Sequence, residues 1–321
     1  MKSPTFVGFF VWFYLGISPN YLLLILNLSM SDRIYLDYNA TTPIDPQVAK
    51  VISPLNSTDF GNAASSTHQH GQDAKKLVER SRMQLASGLG CELNEIIFTS
   101  GATESINMAI KGIVSATDKN KKHIITTKTE HKAVLDSCEY VEKSGVDIDY
   151  LPVDRDGYVS VNDFKSAIRS DTILVIILHG NNEIGNINNL KQLSKVCEQH
   201  RVILHSDTVQ TVGHYPINLN EIEIHGIVGS AHKFHGPKGI GFLYLNNKHK
   251  ISPFIHGGAQ ERNMRGGTEN VYGIVGLSEA LSLASEEMEN HKTKILSLKK
   301  HMISSLKNKI KGVSFNGLSE S

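Results

Sequence analysis

The feature that most constrains the fold is an alternation of short apolar runs with longer stretches of helical periodicity. The predicted strands are Glu95–Thr99, His123–Thr127, Ile148–Val153, Thr172–Leu178, Val202–His205 and Gly226–Gly229. Between them, stretches such as Ser105–Val114 place apolar residues at helical spacing. Strands rich in Val, Ile and Leu that are separated by helices predict an α/β fold, in which helices cover both faces of a mostly parallel sheet. Sites in such sheets lie beyond the carboxyl ends of the strands.

A second pattern occupies the C-terminal part of the chain. From Val271 to about Ile310 the sequence pattern predicts a long helical stretch. One apolar stripe recurs there at spacings of three or four, formed by Ile295, Leu298, Met302, Leu306 and Ile310. Such a stripe needs a surface to pack on, so we expect residues 288–321 to be the start of a second, smaller α+β domain that is cut short.

Composition excludes several classes of function. The chain has 33 basic and 32 acidic residues and a formal net charge of +1, which gives no reason to expect nucleic acid as a partner. Its cysteines, Cys91, Cys138 and Cys197, are odd in number and contain no C-x-x-C pair. This spacing argues against disulfides and thiolate metal sites, and it predicts no metal and a reducing, cytoplasmic location.

Residues 1–29 differ from the rest of the chain. The stretch 6–28 is apolar and aromatic, but Pro19-Asn20 divides it, so it makes a poor membrane span. We interpret 1–29 as an apolar extension that precedes a start at Met30. Association with a membrane is the alternative if the segment is retained and inserts.

Three polar clusters follow predicted strands. Thr99-Ser100-Gly101-Ala102-Thr103-Glu104-Ser105 opens a helix, where backbone N–H groups and small residues suit a phosphate, although a simple capped turn reads the same way. Asp207 follows the strand that ends at His205, where an aspartate can be a helix cap, a metal ligand or the partner of a protonated heterocycle. Lys233 lies between an apolar strand and a glycine-rich loop, where crowding favours a Schiff-base lysine over a solvated one. A phosphate site, a carboxylate and a lysine at one sheet edge are what pyridoxal phosphate requires.

The motifs in their order along the chain resemble those of the cysteine desulfurases of the NifS and IscS type and of the selenocysteine lyases. The resemblance rests on Tyr35 to Pro43, Phe60-Gly61-Asn62, Ser100 to Ser105, Thr129-Glu130-His131-Lys132, Asn181 to Gly185, Asp207 with Gln210, His232-Lys233, and Gly257 to Asn270. It implies a class V, fold-type I pyridoxal-phosphate enzyme. The expected organisation is an arm at 30–45, a large cofactor-binding domain at 46–287 and the truncated small domain at 288–321.

The resemblance also implies a role for each matching residue. The catalytic residues would be Lys233, which carries the cofactor and moves the Cα proton, Asp207 on the pyridine nitrogen, and His131 stacked on the ring. Gln210 would bond the phenolic oxygen, and Asn182 would lie near it. The phosphate would be held by Ala102, Thr103, Ser230 and His232, and by Thr268 from the neighbouring subunit, which implies a homodimer.

The implied reaction removes sulfur or selenium from L-cysteine or L-selenocysteine and leaves L-alanine, with a sulfur or selenium acceptor protein as a further partner. In the family, a nucleophilic cysteine and a carboxylate-binding arginine lie beyond the position that corresponds to Ser321. None of the three cysteines matches that cysteine, so they are interpreted as small buried hydrophobes. Two alternatives stay open: a non-catalytic cofactor-binding member of the family, or another class V aminotransferase.

Overall fold

A computed structural model describes residues 34–58 and 60–320. The apolar segment 6–28 lies outside these residues. The chain divides into two compact units, Met1–Tyr38 and Asn39–Ser321, and the predicted domain boundaries at 30, 46 and 288 stay predictions. Among the described residues, none of the helices combines the length and the apolar character that crossing a bilayer requires.

The strands and helices follow the predicted alternation. The strands are β1 (Ile96–Thr99), β2 (His123–Thr127), β3 (Asp147–Leu151), β4 (Thr172–Ile176), β5 (Ile203–Asp207), β6 (Gly226–Ser230) and β7 (Gly241–Leu245). The α-helices are α1 (Pro46–Ile52), α2 (Gln69–Leu89), α3 (Ala102–Ala116), α4 (Lys132–Glu142), α5 (Val161–Ala167), α6 (Leu190–His200), α7 (Val271–Glu286) and α8 (Met288–Lys309).

One sheet organises the described part of the chain, with the strand order β1-β7-β6-β5-β4-β2-β3. The pairs β2–β3, β2–β4, β4–β5 and β5–β6 are parallel, which confirms the predicted mostly parallel sheet. Strand β7 was not predicted, and it runs antiparallel to both β1 and β6. The link from Ser230 to Gly241 contains no α-helix, and a connection this short returns the chain in the opposite direction.

Both faces of the sheet are buried because neighbouring residues of each strand face opposite ways. In β1, Ile96 and Phe98 belong to one core cluster, with helices α2, α6 and α7. Ile97 belongs to the other, with α3 and α4. Because β2, β4, β5 and β6 are parallel, their carboxyl ends lie at one edge of the sheet. Strand β1 has the same direction, since β7 runs antiparallel to both β1 and β6. The residues that follow β1, β2, β5 and β6 therefore lie at that edge.

The C-terminal helical region is two helices, separated at Glu287. Helix α7 is apolar on most sides and buries ten residues, whereas α8 has no buried residue. Ile295 and Met302 of the predicted stripe are 59% and 63% exposed. The apolar face predicted for this stretch is therefore open to solvent.

Candidate active site

Lys233 ends a short 3-10 turn, Ala231–Lys233, that follows β6 directly. Its Nζ donates to the carbonyl oxygen of Asn39 at 2.5 Å. The backbone oxygen of Lys233 lies 3.0 Å from Nε2 of His214. The strand end and the His214 contact therefore hold the backbone of Lys233, and the Asn39 carbonyl oxygen holds its Nζ.

A segment from the start of the described chain holds this turn in place. Thr42 donates to the carbonyl oxygen of His232 through both its N–H and its hydroxyl, each at 3.0 Å. Its hydroxyl also accepts from the N–H of His235, a residue with a φ of 65°. The supporting role of this segment was not predictable from its motif, because the contacts join residues about 190 positions apart.

Asp207 is the last residue of β5 and is only 3% exposed. Its Oδ1 accepts from the N–H of Val209 at 3.0 Å. Burial raises the pKa of the Asp207 carboxyl, while that N–H and the charges of His131 and Lys233 act to lower it. A carboxylate this dry, within electrostatic reach of Lys233 and His131, is a site for a positive charge.

His131 caps the N-terminus of α4 and is exposed towards the same edge. Its Nδ1 accepts from the N–H of Ala133 at 3.1 Å. A neutral ring bonded in this way carries its proton at Nε2. The cap therefore fixes the ring's orientation and leaves Nε2 as the nitrogen that can meet a ligand.

Glu130, directly before His131, is a buried acid that sequence analysis did not single out. It is 6% exposed, and its Oε1 accepts from Thr127 Oγ1 at 2.9 Å and from the N–H of Leu178 at 2.8 Å. Oε2 has no hydrogen-bond partner among the described residues. Burial, and then the charge of Asp207, raise the pKa of Glu130 to about 8.

The start of α3 is built for close approach to an anion. Gly101 is its N-cap, with a φ of 154° and no capping side chain, so the N–H groups of Ala102 and Thr103 point out of the first turn. A Cβ on Gly241 would lie 2.7 Å from the Cα of Gly101, and a Cβ on Gly101 would lie 3.7 Å from Ser230 Oγ. Small residues therefore hold β7, Ser230 and the helix start together.

An ion pair between Glu104 and Arg265 lies at the first turn of α3. Glu104 accepts from the Ser100 N–H at 2.9 Å and from the Nε of Arg265 at 2.8 Å. Burial alone would raise the pKa of Glu104, but its hydrogen bonds to Arg265 and Ser100 bring it below the usual range. The pair was not predicted, since its members are 161 residues apart.

The other predicted site residues, Gln210, Asn182 and His232, make hydrogen bonds to the segment that contains Asn39 and Thr41. Gln210 donates through Nε2 to the Asn39 carbonyl oxygen at 3.0 Å, so it shares that acceptor with Lys233. Asn182 accepts from the side chain of Asn39 through its backbone oxygen, at 2.9 Å. His232 lies with Nδ1 3.2 Å from Thr41 Oγ1.

Thr268 is exposed and lines a cavity of 100 Å³ together with Thr99, Ser100 and Arg265 of its own chain. Its predicted contact with a neighbouring subunit stays a prediction.

Of the three cysteines, Cys91 follows α2, Cys138 lies in α4 and Cys197 lies in α6. Cys138 and Cys197 are fully buried and Cys91 is half-buried. Burial raises the pKa of each thiol to about 12. At neutral pH none of them is a thiolate, which agrees with their interpretation as small hydrophobic residues.

These residues fit pyridoxal phosphate. A phosphate requires hydrogen-bond donors without an opposing side chain, and the glycine-capped start of α3 provides them. A pyridinium nitrogen requires a buried carboxylate, and Asp207 is buried, accepts a hydrogen bond from the Val209 N–H and is within electrostatic reach of Lys233 and His131. An aldehyde requires an amine, and the Lys233 Nζ lies on the same edge.

Comparison with known proteins agrees with this geometry. Residues 34–321 match the family described as Aminotransferase class-V. The chain is 47% identical over 288 residues to the cysteine desulfurase IscS of Dictyoglomus turgidum, which covers 90% of this chain and 73% of that protein. A solved NifS-like protein superposes with a TM-score of 0.84 at 39% identity, over 86% of this chain and 76% of its own. The structure of SspA in complex with cysteine has a TM-score of 0.76 at 36% identity, over 78% and 72% of the two chains.

Proposed function

This chain belongs to the class V aminotransferase family, within its cysteine desulfurase group, and we propose that it binds pyridoxal phosphate and removes sulfur from L-cysteine. The products are L-alanine and a persulfide on an acceptor thiol. One observation carries the proposal: Lys233, Asp207 and His131 meet at one sheet edge, where the charges of the other two act on the Asp207 carboxyl.

The residues that hold the cofactor are those of the sheet edge. The N–H groups of Ala102 and Thr103, with the side chains of Ser230 and His232, bind the phosphate. Asp207 binds the ring nitrogen, and its burial strengthens that interaction. Gln210 binds the phenolic oxygen, and Asn182 lies near it. His131 stacks on the face of the ring, and Lys233 binds the aldehyde.

When bound, the cofactor supplies a sink for the electron pair released at the substrate Cα. The Nζ of Lys233, which donates to the Asn39 carbonyl oxygen, would hold the aldehyde of the cofactor. With the substrate in place, the same amine would be the base that takes the Cα proton and later returns it. Nε2 of His131, free of any capping bond, is the second position at which a proton is held near the substrate.

The sulfur step balances with one thiol as co-reactant. The Cβ–S bond of L-cysteine breaks, a sulfur–sulfur bond forms on the acceptor thiol, and the proton of that thiol passes to the alanine product. Cys91, Cys138 and Cys197 are buried thiols with raised pKa values, so we propose that the acceptor is a thiol other than these three. A homodimer completed by Thr268 is part of the same proposal.

The test is alanine formation from L-cysteine by the purified, cofactor-loaded chain with an added small thiol. We expect alanine and persulfide in equal amounts, and no activity in Lys233→Ala. L-selenocysteine in a parallel reaction measures the preference between sulfur and selenium. If the loaded chain instead transfers amino groups from L-alanine to glyoxylate and forms no alanine from L-cysteine, the chain is an aminotransferase and the proposal is wrong.

A further inference from the structure

Glu130 is a fully enclosed acid within one residue of His131, and the proposed reaction does not use it. Its two Oε1 contacts come from different strands: Thr127 ends β2 and Leu178 follows β4. A second tie joins the same two loops, since the Asn181 side chain donates to the Thr129 carbonyl oxygen at 3.0 Å. Glu130 therefore joins the loop after β2, which carries His131, to the loop after β4.

The charges around Glu130 and Asp207 are unequal. His131 and Lys233 both act on Asp207, which also accepts from the Val209 N–H. Among the described residues, the titratable groups that interact electrostatically with Glu130 are the Asp207 carboxyl of β5 and the Cys138 thiol of α4, and neither is a cation. Two adjacent carboxylates in a dry pocket are strongly unfavourable, so one proton belongs to the pair. It goes to the carboxyl without a cationic neighbour.

The unpartnered oxygen points the same way. Oε2 of Glu130 is buried and accepts no hydrogen bond from the described residues. An ionised oxygen left without a donor in such a place costs far more than a neutral hydroxyl does. Oε1, which accepts two hydrogen bonds, is then the carbonyl oxygen of the neutral acid.

We infer that Glu130 is a protonated positioning residue, which fixes the His131 loop through Oε1 and leaves Asp207 as the ionised member of this buried pair of carboxyl groups. The inference rests on the proposed function only for the statement that Asp207 must stay ionised. It concerns groups of the protein itself, and it is testable on the chain without cofactor.

The pH dependence of stability follows from the shifted pKa. Glu130 titrates near its ordinary value of 4.5 in the unfolded chain and near 8 in the folded chain. Between these values the folded chain binds the extra proton, so its contribution to stability is complete below pH 4.5 and is lost as the pH rises towards 8. Over that window Glu130 raises the unfolding equilibrium constant by up to about tenfold per pH unit.

The decisive variant is Glu130→Gln, whose amide keeps an acceptor at Oε1 and cannot ionise. Urea unfolding of the cofactor-free chain from pH 5 to pH 8 should lose this slope in the variant. Infrared spectra at pH 7 should lose the C=O stretch of a protonated carboxylic acid. In Asp207→Asn that band should persist. The matched control is Glu139→Gln on helix α4, whose partner Lys143 is exposed and which should change neither measurement.

Each other outcome opposes the inference. An unchanged slope or band in Glu130→Gln means that Glu130 is ionised. If Glu130 is a protonated acid, a neutral amide of the same shape should replace it without loss of folding. Failure of Glu130→Gln to fold would therefore contradict the inference. Cofactor-loaded Glu130→Gln should keep kcat within about twofold of the native chain, whereas Glu130→Ala, which frees the loop, should lower kcat more than KM. None of the cofactor-free measurements depends on the proposed activity.

Discussion

Arg265 and Glu104 form a two-point ion pair, with Nε 2.8 Å from Oε1 and Nη2 3.3 Å from Oε2. The pair joins the loop that carries Thr268 to the first turn of α3. Its side chains are 21% and 9% exposed, so solvent screens it only in part. A carboxylate in the first turn would repel a bound phosphate, and Arg265 cancels that charge while Glu104 caps the Ser100 N–H.

We therefore expect Arg265→Gln to weaken pyridoxal phosphate binding by roughly tenfold, which is about 1.4 kcal/mol. The double variant with Glu104→Gln should recover most of the loss, because no uncompensated charge remains. Pyridoxal, which lacks the phosphate, should bind the native chain and both variants equally. Fluorescence titration measures all of these affinities. Equal losses for the two ligands would show that the pair acts on folding and not on the phosphate.

Lys233 should be the lysine that carries the cofactor. Reduction with borohydride followed by peptide mass spectrometry should find the cofactor on the peptide that contains Lys233, and Lys233→Ala should abolish it. Lys238, five residues further along and exposed, is the matched control. Modification of Lys238 in the native chain would disprove the assignment.

Asp207→Asn should leave cofactor binding largely intact and slow the exchange of the substrate Cα hydrogen by at least about 100-fold, because the ring nitrogen loses its anionic partner. Proton nuclear magnetic resonance of L-alanine in deuterium oxide follows the exchange. Asp136→Asn, on the exposed side of α4, is the control. An exchange rate in Asp207→Asn equal to that of the control would remove Asp207 from the proposed mechanism.

The cysteines should be unreactive in the folded chain. Burial raises the pKa of all three thiols to about 12, so labelling by a thiol reagent at pH 7 should be slow until urea unfolds the protein. Cys91→Ala, at the least buried of the three, should keep alanine formation with an added thiol within about twofold of native. We also expect little sulfide release by residues 1–321 when no thiol is added. A persulfide trapped on Cys91 would contradict this expectation.

Gly241→Ala should damage the phosphate end of the site. The added Cβ would lie 2.5 Å from the Gly229 carbonyl oxygen and 2.7 Å from the Gly101 Cα, and both are backbone atoms that cannot move alone. We expect a loss of about 1–3 kcal/mol in stability together with weaker cofactor binding. Gly88→Ala, whose Cβ meets only Leu281 at 3.8 Å, should be neutral or slightly stabilising. Urea unfolding compares the two variants, and equal stabilities would refute the predicted clash.

Much of this arrangement was predictable because it is local. Apolar runs and helical periodicity predicted six of the strands, and the positions of Asp207 and Lys233 at strand ends follow from where those runs stop. Glycine at 101 before a helix suited an anion site and a simple capped turn equally, and it gained meaning only together with Asp207 and Lys233. The shared motifs then identified the family.

Contacts between residues that are distant in the sequence could be identified only in the folded chain. The sequence by itself determined the order of strands and helices and which polar residues follow which strand. Only the tertiary structure decided that β7 returns antiparallel, that Arg265 meets Glu104 and that the Asn39 carbonyl oxygen receives both Lys233 and Gln210. It also decided that Glu130 is buried beside Asp207. Sequence patterns report the preferences of neighbouring residues, whereas these contacts and this burial depend on how distant segments pack at one edge of the sheet.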